Sequence, residues 1–436
     1  MSGGAAAAQP AFSGGRWLLL SDIHFDPYAD PLLVRDLAAA PAREWGSILA
    51  RGAAVPSRYG ADTNYALLES TLAAMRRAEP DPPVVVVAGD FLAHEFPETF
   101  RTLSPGATER AYDAFVDGTI AFLALELGRS FPRAQFVVTV GNNDGYCGDY
   151  RSTPDSPFLA HMALAWGPLV DRNGAAPDFA RTFPAGGYYT ATLPTRLPLK
   201  VVSVNSVLWS VLYDNACGVQ GTDPGAAELV WLKTAAVPPP GGNRWFLMHI
   251  PPTMDAYDSQ RSRLPIGFLQ DRPSAAFLDI AFGAARTTAA LVAGHTHHPS
   301  FPVFVRGDAA FPGIVLPSIS PVQGNNPAFV AADVDAAGTI VGASTYALYL
   351  SAATPAWNRE YDVRSAYGID TLDARSLQGL TARLDSDRVL RASFSAYYPS
   401  FSLYGGIDPA AWPWYGCAND RLAAAAYMAC VNGGSQ

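Results

Sequence analysis

Val84-Val85-Val86-Val87-Ala88-Gly89-Asp90 (VVVVAGD) reads as a short apolar strand that ends in a glycine turn and a carboxylate. A continuous β-branched run of this length suits a strand covered on both faces. The pattern recurs along the chain. Trp17–Ser21 (WLLLS) runs into Asp22-Ile23-His24, and Phe136–Val140 (FVVTV) runs into Gly141-Asn142-Asn143-Asp144. Val201–Asn205 (VVSVN) follows, then Trp245–His249 (WFLMH), then Ala290–Ala293 (ALVA), which leads into Gly294-His295-Thr296-His297. Helix-like stretches, among them Asn64–Ala78 and Glu109–Leu127, lie between the runs. Strands alternating with helices predict a layered α/β fold.

Five of these runs end in metal-ligand side chains, and open α/β sheets collect their ligands at the carboxyl ends of strands. The set is Asp22, His24, Asp90, Asn142, His249, His295 and His297. Mixed oxygen and imidazole donors suit Zn, Mn or Fe rather than Ca or Mg. Seven donors exceed what one four-coordinate ion takes, so the set predicts two ions sharing a bridging carboxylate. Singly, each signal has a plainer reading. An Asp-x-His pair after a strand is commonly incidental, and a lone histidine such as His249 is commonly a satisfied core residue. Five signals in order, each at a strand end, favour the two-ion reading.

The ordered set resembles the calcineurin-like metallophosphoesterases over roughly residues 16–350. The resemblance implies a two-sheet β-sandwich flanked by helices. It also implies one ion on Asp22, His24 and His297, a second on Asn142, His249 and His295, and Asp90 as the bridge. Zn is the expected metal, with Mn or Fe open. Purple acid phosphatases in this superfamily carry a tyrosine three residues after the bridging Asp. Ala93 stands there in this chain, which disfavours a charge-transfer Fe(III) site. His94, Asp223-Pro224-Gly225 with Glu228–Leu232, the cysteines and the helical tail make the chain similar to the acid sphingomyelinase-like phosphodiesterases, as a bacterial exported member. The implied activity is phosphodiester hydrolysis by a hydroxide bridging the ions, on a lipid head-group or nucleotide substrate. A phosphomonoesterase and a metal-binding pseudoenzyme are the competing readings.

One position departs from that family, whose Gly-Asn-His motif is Gly141-Asn142-Asn143 here. An amide at Asn143 can hydrogen-bond a phosphoryl oxygen but cannot deliver a proton. His94 becomes the expected proton donor to the leaving group, a role worth roughly 10²–10⁴ in rate. The competing reading is that His94 only positions an oxygen or packs beneath the metals. Asn143, His298, Tyr146 and Trp209 are candidate substrate contacts, with Tyr150, Tyr213 and Tyr257 in similar loops. The bland alternative is that these loops pack on one another. His161 has no motif context and is expected to be structural.

Composition bounds the rest. With 49% hydrophobic and 16% charged residues the chain is globular rather than disordered. A net charge of −9 argues against a nucleic-acid scaffold as partner. All but Lys200 and Lys233 of the 30 basic residues are arginine, a bias that suits a GC-rich bacterial genome. No apolar run nears the ~18 residues of a membrane span. The expected partner is a small-molecule or lipid phosphoester, with peripheral membrane contact open and a monomer favoured. Residues 1–15 read as a flexible leader without the basic start or apolar run of a signal peptide, 16–353 as the catalytic domain, and 354–436 as a helical extension. Within the extension, Leu372–Leu390 and Arg421–Met428 read as helices.

Four cysteines allow three pairings. An even, widely spaced set suits two disulfides in a secreted or periplasmic protein, the alternative being four buried thiols in the cytosol. Cys147 directly follows the Asn142 loop and Cys217 lies in the loop after Asn205, so this pair would tie two active-site loops. Cys417 and Cys430 would staple the last helix.

Overall fold

The computed structural model describes residues 14–193 and 195–433, so most of the expected leader lies outside the described residues. Among the described residues there are twelve strands: Gly15–Leu20 (β1), Val84–Val87 (β2), Gln135–Val138 (β3), Tyr189–Leu193 (β4), Leu199–Ser203 (β5), Asn243–Leu247 (β6), Thr288–Ala293 (β7), Val303–Arg306 (β8), Ala309–Val315 (β9), Ala328–Val334 (β10), Ile340–Leu348 (β11) and Trp357–Asp362 (β12). They form two six-stranded mixed sheets, ordered β12-β11-β10-β1-β2-β3 and β4-β5-β6-β7-β9-β8. Each strand expected from an apolar run forms, with its ends shifted by at most two residues.

The pairing explains the continuous apolar runs. β1, β2 and β3 are parallel neighbours, and so are β5, β6, β7 and β9. Within the second sheet, Val201, Trp245, Leu247 and Val292 join the core shared with the first sheet. Their alternates Val202, Phe246 and Leu291 face a second core with Leu232 and Phe277 from flanking helices. Period-2 alternation thus places apolar side chains on both faces. Trp17 of β1 and Trp245 of β6 meet across the sandwich, ring centroids 5.0 Å apart. Ser203 Oγ donates to the Val138 carbonyl at 3.0 Å, and Thr139 Oγ1 to that of Val204 at 2.9 Å, stitching β3 to β5.

This topology brings the carboxyl ends of β1, β2, β3, β6 and β7 to one rim. Helices cover the outer faces. Tyr65–Ala78 starts after Asn64, whose side chain accepts the Leu67 N–H at 2.9 Å as an N-cap.

The C-terminal region differs from expectation in detail. It opens with β12, which extends the first sheet beside β11, so the strand order runs past the expected boundary at 354. The single helix expected over Leu372–Leu390 is two, Ala374–Ser386 and Arg388–Tyr397. Asp387 breaks it because its carboxylate accepts the N–H groups of Val389 and Leu390 at 2.9 and 3.0 Å, capping the second helix. The last helix spans Ala424–Gly433 rather than Arg421–Met428. Leu377, Leu384, Phe394 and Trp412 of this region belong to the main core.

Candidate metal centre

Each expected ligand sits in the turn that leaves a strand, and the turns are tight. Asp22, His24, Asp90, His295 and His297 all have positive φ, between 42° and 74°. Left-handed non-glycine residues cost energy and cluster at functional sites. Gly294 and Gly141 are there because no side chain fits. A Cβ on Gly294 would lie 1.8 Å from Ser21 Oγ, and one on Gly141 would lie 2.0 Å from Asp90 Oδ1.

The turns bring the side chains together in two adjoining groups. His24 Nε2 lies 3.1 Å from His297 Nε2 and 3.8 Å from Asp22 Oδ1, and His297 Nε2 is 3.4 Å from Asp22 Oδ1. His249 Nε2 lies 3.0 Å from Asn142 Oδ1. Asp90 Oδ2 stands between the two groups, 3.4 Å from His24 Nε2 and 3.2 Å from His249 Nε2. His295 packs edge-on against His249 with centroids 5.2 Å apart, and its Nε2 meets the Tyr150 hydroxyl at 3.4 Å. All seven expected ligands therefore come together, six of them buried and His295 half-buried.

The donor chemistry fits divalent ions. His24 Nδ1 and His249 Nδ1 are held by the carbonyls of Leu92 and Ala88 at 3.0 and 2.7 Å, which turns both Nε2 atoms inward. Two imidazole nitrogens at 3.1 Å, as in His24 and His297, share at most one proton, whereas a cation satisfies both. Burial lowers the pKa of His24 to about 4 and of His295 to about 3, and holds His297 well below its usual range, so all three are neutral as ligation requires. Burial alone pulls His249 down, but Asp90 outweighs it and pushes the imidazole up to about 10. A bound cation would displace that proton. Burial likewise works against ionised Asp90, yet His249 and His24 hold it well below the carboxylate range.

Two carboxylates that do not stand out in the sequence support this centre. Asp149 Oδ1 accepts from Asn142 Nδ2 at 2.8 Å, which turns the Asn142 carbonyl oxygen towards His249. Asp144 accepts backbone N–H groups from both the Asp90 and the Asn142 loops. Asp149 had no signal beyond its place seven residues after Asn142. Asn143 turns onto the carboxylate of Asp90. Its N–H reaches Oδ1 at 2.8 Å and its amide Nδ2 reaches Oδ2 at 3.0 Å.

His94 stacks on His24, ring centroids 4.1 Å apart, and its Nδ1 pairs with Asp62 at 3.0 Å. Burial pulls His94 down, but Asp62 outweighs it and the net shift is upward. His298 bonds the Thr296 carbonyl through Nδ1 at 2.7 Å and stacks on Tyr398 of the C-terminal region, centroids 4.6 Å apart. A cavity of about 580 Å³ opens beside His295 and His298, walled further by Asp255, Tyr257, Tyr398 and Tyr415.

Two expected substrate contacts are placed elsewhere. Trp209 is fully buried, donates to the Gly225 carbonyl at 3.2 Å and packs on Phe277. Its loop folds inward as a short 3-10 helix, Ser206–Trp209, so the indole is core. The Tyr146 hydroxyl donates to Asp117 at 2.7 Å and meets His161 at 3.0 Å, so it faces the helix Glu109–Ser130. Both expected disulfides, Cys147–Cys217 and Cys417–Cys430, are formed, and the first ties the Asn142 loop to the loop after β5.

The family described as calcineurin-like phosphoesterase matches residues 15–299, the stretch that supplies every ligand above. The chain is a calcineurin-like phosphoesterase. Among curated relatives of this phosphoesterase is acid sphingomyelinase-like phosphodiesterase 3b of Homo sapiens, 24% identical over 456 residues, covering 98% of this chain and 91% of the relative. Sphingomyelinase phosphodiesterase D of Dictyostelium discoideum is 26% identical over 326 residues, 72% of this chain and 67% of the relative. The cyclic GMP-AMP phosphodiesterase of Rattus norvegicus is 23% identical over 447 residues, 98% of this chain and 94% of the relative. The phosphoesterase therefore has acid sphingomyelinase-like phosphodiesterases as homologues and is a phosphoric ester hydrolase.

Proposed function

We propose that the chain is a dinuclear phosphodiesterase acting on a lipid head-group or nucleotide diester. The observation that carries this reading is Asp90 Oδ2, placed between His24 and His249 at 3.4 and 3.2 Å. Asp22, His24 and His297 would hold one divalent ion, Asn142, His249 and His295 the other, and Asp90 would be shared. Zinc suits this donor set, with Mn or Fe as alternatives. Two such ions supply charge neutralisation at the phosphoryl oxygens and a water made acidic enough to attack at neutral pH.

The chain's own residues do the rest. Asn143 orients Asp90 through two hydrogen bonds and brings an amide donor near the phosphoryl oxygens. His94 stacks on His24 and delivers the proton to the departing oxygen. His298 presents a ring to the substrate cavity.

The cavity narrows the substrate. Asp255, Asp258 and aromatic rings line it, and among the described residues no Lys or Arg does. A second phosphate would meet carboxylates there without a counter-cation, whereas a positively charged head group would meet carboxylates and ring faces. This favours the lipid head-group reading over a dinucleotide. Two disulfides fit a secreted or periplasmic setting. Among the described residues no helix is long and apolar enough to cross a membrane.

Turnover of bis-p-nitrophenyl phosphate against p-nitrophenyl phosphate, with metal content measured, tests the reading. Preference for the diester is expected. Preference for the monoester marks a phosphomonoesterase, and metal without turnover of either marks a binding protein.

A further inference from the structure

Asp62 lies in a loop before the helix Tyr65–Ala78, 32 residues upstream of His94 and outside every metal-ligand motif. Its carboxylate is nonetheless wholly committed. Oδ2 accepts the backbone N–H of His94 at 2.8 Å, Oδ1 pairs with His94 Nδ1 at 3.0 Å, and Oδ1 also accepts from Ser320 Oγ at 2.9 Å. The Asp62 side chain is 9% exposed and that of His94 33%. With Nδ1 engaged, Nε2 is the ring nitrogen left for the site. The ring is stacked on His24, and a nitrogen of His94 lies within 4.8 Å of a ring nitrogen of His24 and one of His297.

We infer that Asp62 is the positioning residue for His94, fixing its tautomer and aim so that Nε2 faces the leaving oxygen. The inference rests on the reading of His94 as proton donor. One carboxylate gripping both the main chain and the ring of one histidine fixes position and rotation together. Ser320 Oγ anchors the carboxylate from the loop after β9, so the ring cannot turn without losing its Nδ1 bond to an acceptor that is itself held in place. A directed proton transfer gains from such fixing, because a displacement of about 1 Å can cost about 10²-fold in rate. The chain has particular need of it, since Asn143 cannot act as a second donor.

The test is a double-mutant cycle of Asp62→Asn and His94→Ala, read on two diesters: one with a p-nitrophenyl leaving group and one with an alkyl alcohol. Metal content and Tm are measured for every variant, and Asp62→Glu is included. Asp62→Asn should slow the alkyl ester by about 10²-fold and the p-nitrophenyl ester by less than about 3-fold. In the His94→Ala background it should add almost nothing on the alkyl ester. Asp62→Glu should recover part of the loss. Equal losses on both esters, or additive losses in the double mutant, overturn the role of Asp62 while a leaving-group-selective His94→Ala keeps the reading of His94. A His94→Ala variant that is not selective overturns the reading itself and the role of Asp62 with it.

Discussion

The carboxylate of Asp144 accepts the backbone N–H of Asp90, 3.0 Å from its Oδ2. It also takes the N–H groups of Phe91, Leu92 and Gly141 at 2.8, 3.2 and 2.7 Å. One buried side chain thus clamps the turn after β2 to the turn after β3. Burial pushes its pKa up to about 7, against the pull of those donors.

Removing this clamp should damage fold and site together. In Asp144→Ala four N–H groups lose their acceptor, and each buried unpaired group costs about 1–3 kcal/mol before relaxation or water entry. We expect a loss of about 2–4 kcal/mol in stability with reduced metal content. Asp144→Asn, which keeps one acceptor oxygen, should lie between the two proteins. Urea unfolding and elemental analysis on the same samples check this.

Asp149 gives a cleaner separation of binding from folding. It holds only the Asn142 amide in the centre, through one 2.8 Å bond. Asp149→Ala should weaken one of two metal sites by about 10–100-fold, the usual cost of a lost supporting hydrogen bond. Isothermal titration with zinc should show one affinity unchanged and one reduced. Equal weakening of both sites would place Asp149 in a general structural role instead.

Glu228 sets a pH dependence away from the metals. It is fully buried, Oε1 accepts the Asn205 N–H at 2.6 Å, and Oε2 has no partner among the described residues. Burial raises its pKa well above 4.5. The folded state therefore holds a proton that the unfolded chain releases, so stability falls as pH rises from about 4.5 towards the folded value, by about 1.4 kcal/mol per unit. Glu228→Gln should leave Tm nearly unchanged at pH 4.5 and raise it progressively as pH climbs above that value. A Tm difference independent of pH would show that Glu228 is ionised in the fold.

The sandwich and its seven converging donors were legible because their signals are local. A parallel strand buried on both faces must be apolar throughout, as in Val84–Val87, and its ligand follows directly in the turn. What escaped was made by the return of distant chain. Asp62 reaches His94 only because the loop before Tyr65–Ala78 lies along the turn after β2, with Phe25 bridged to both Thr63 and Leu92. Trp209 looked like a loop aromatic because nothing in its neighbourhood reports that Gly225 opens space for the indole, a Cβ there lying 2.9 Å from its ring. Tyr146 has the same lesson: its partner Asp117 comes from a helix whose position depends on the whole sheet.

A dinuclear phosphodiesterase centre is tested most directly by stoichiometric reactivation. Chelator-stripped protein is titrated with zinc while hydrolysis of bis-p-nitrophenyl phosphate is followed. Two ions per chain sharing Asp90 predict activity that rises until two equivalents and then levels. Activity complete at one equivalent, or present with none, would contradict a shared two-ion centre.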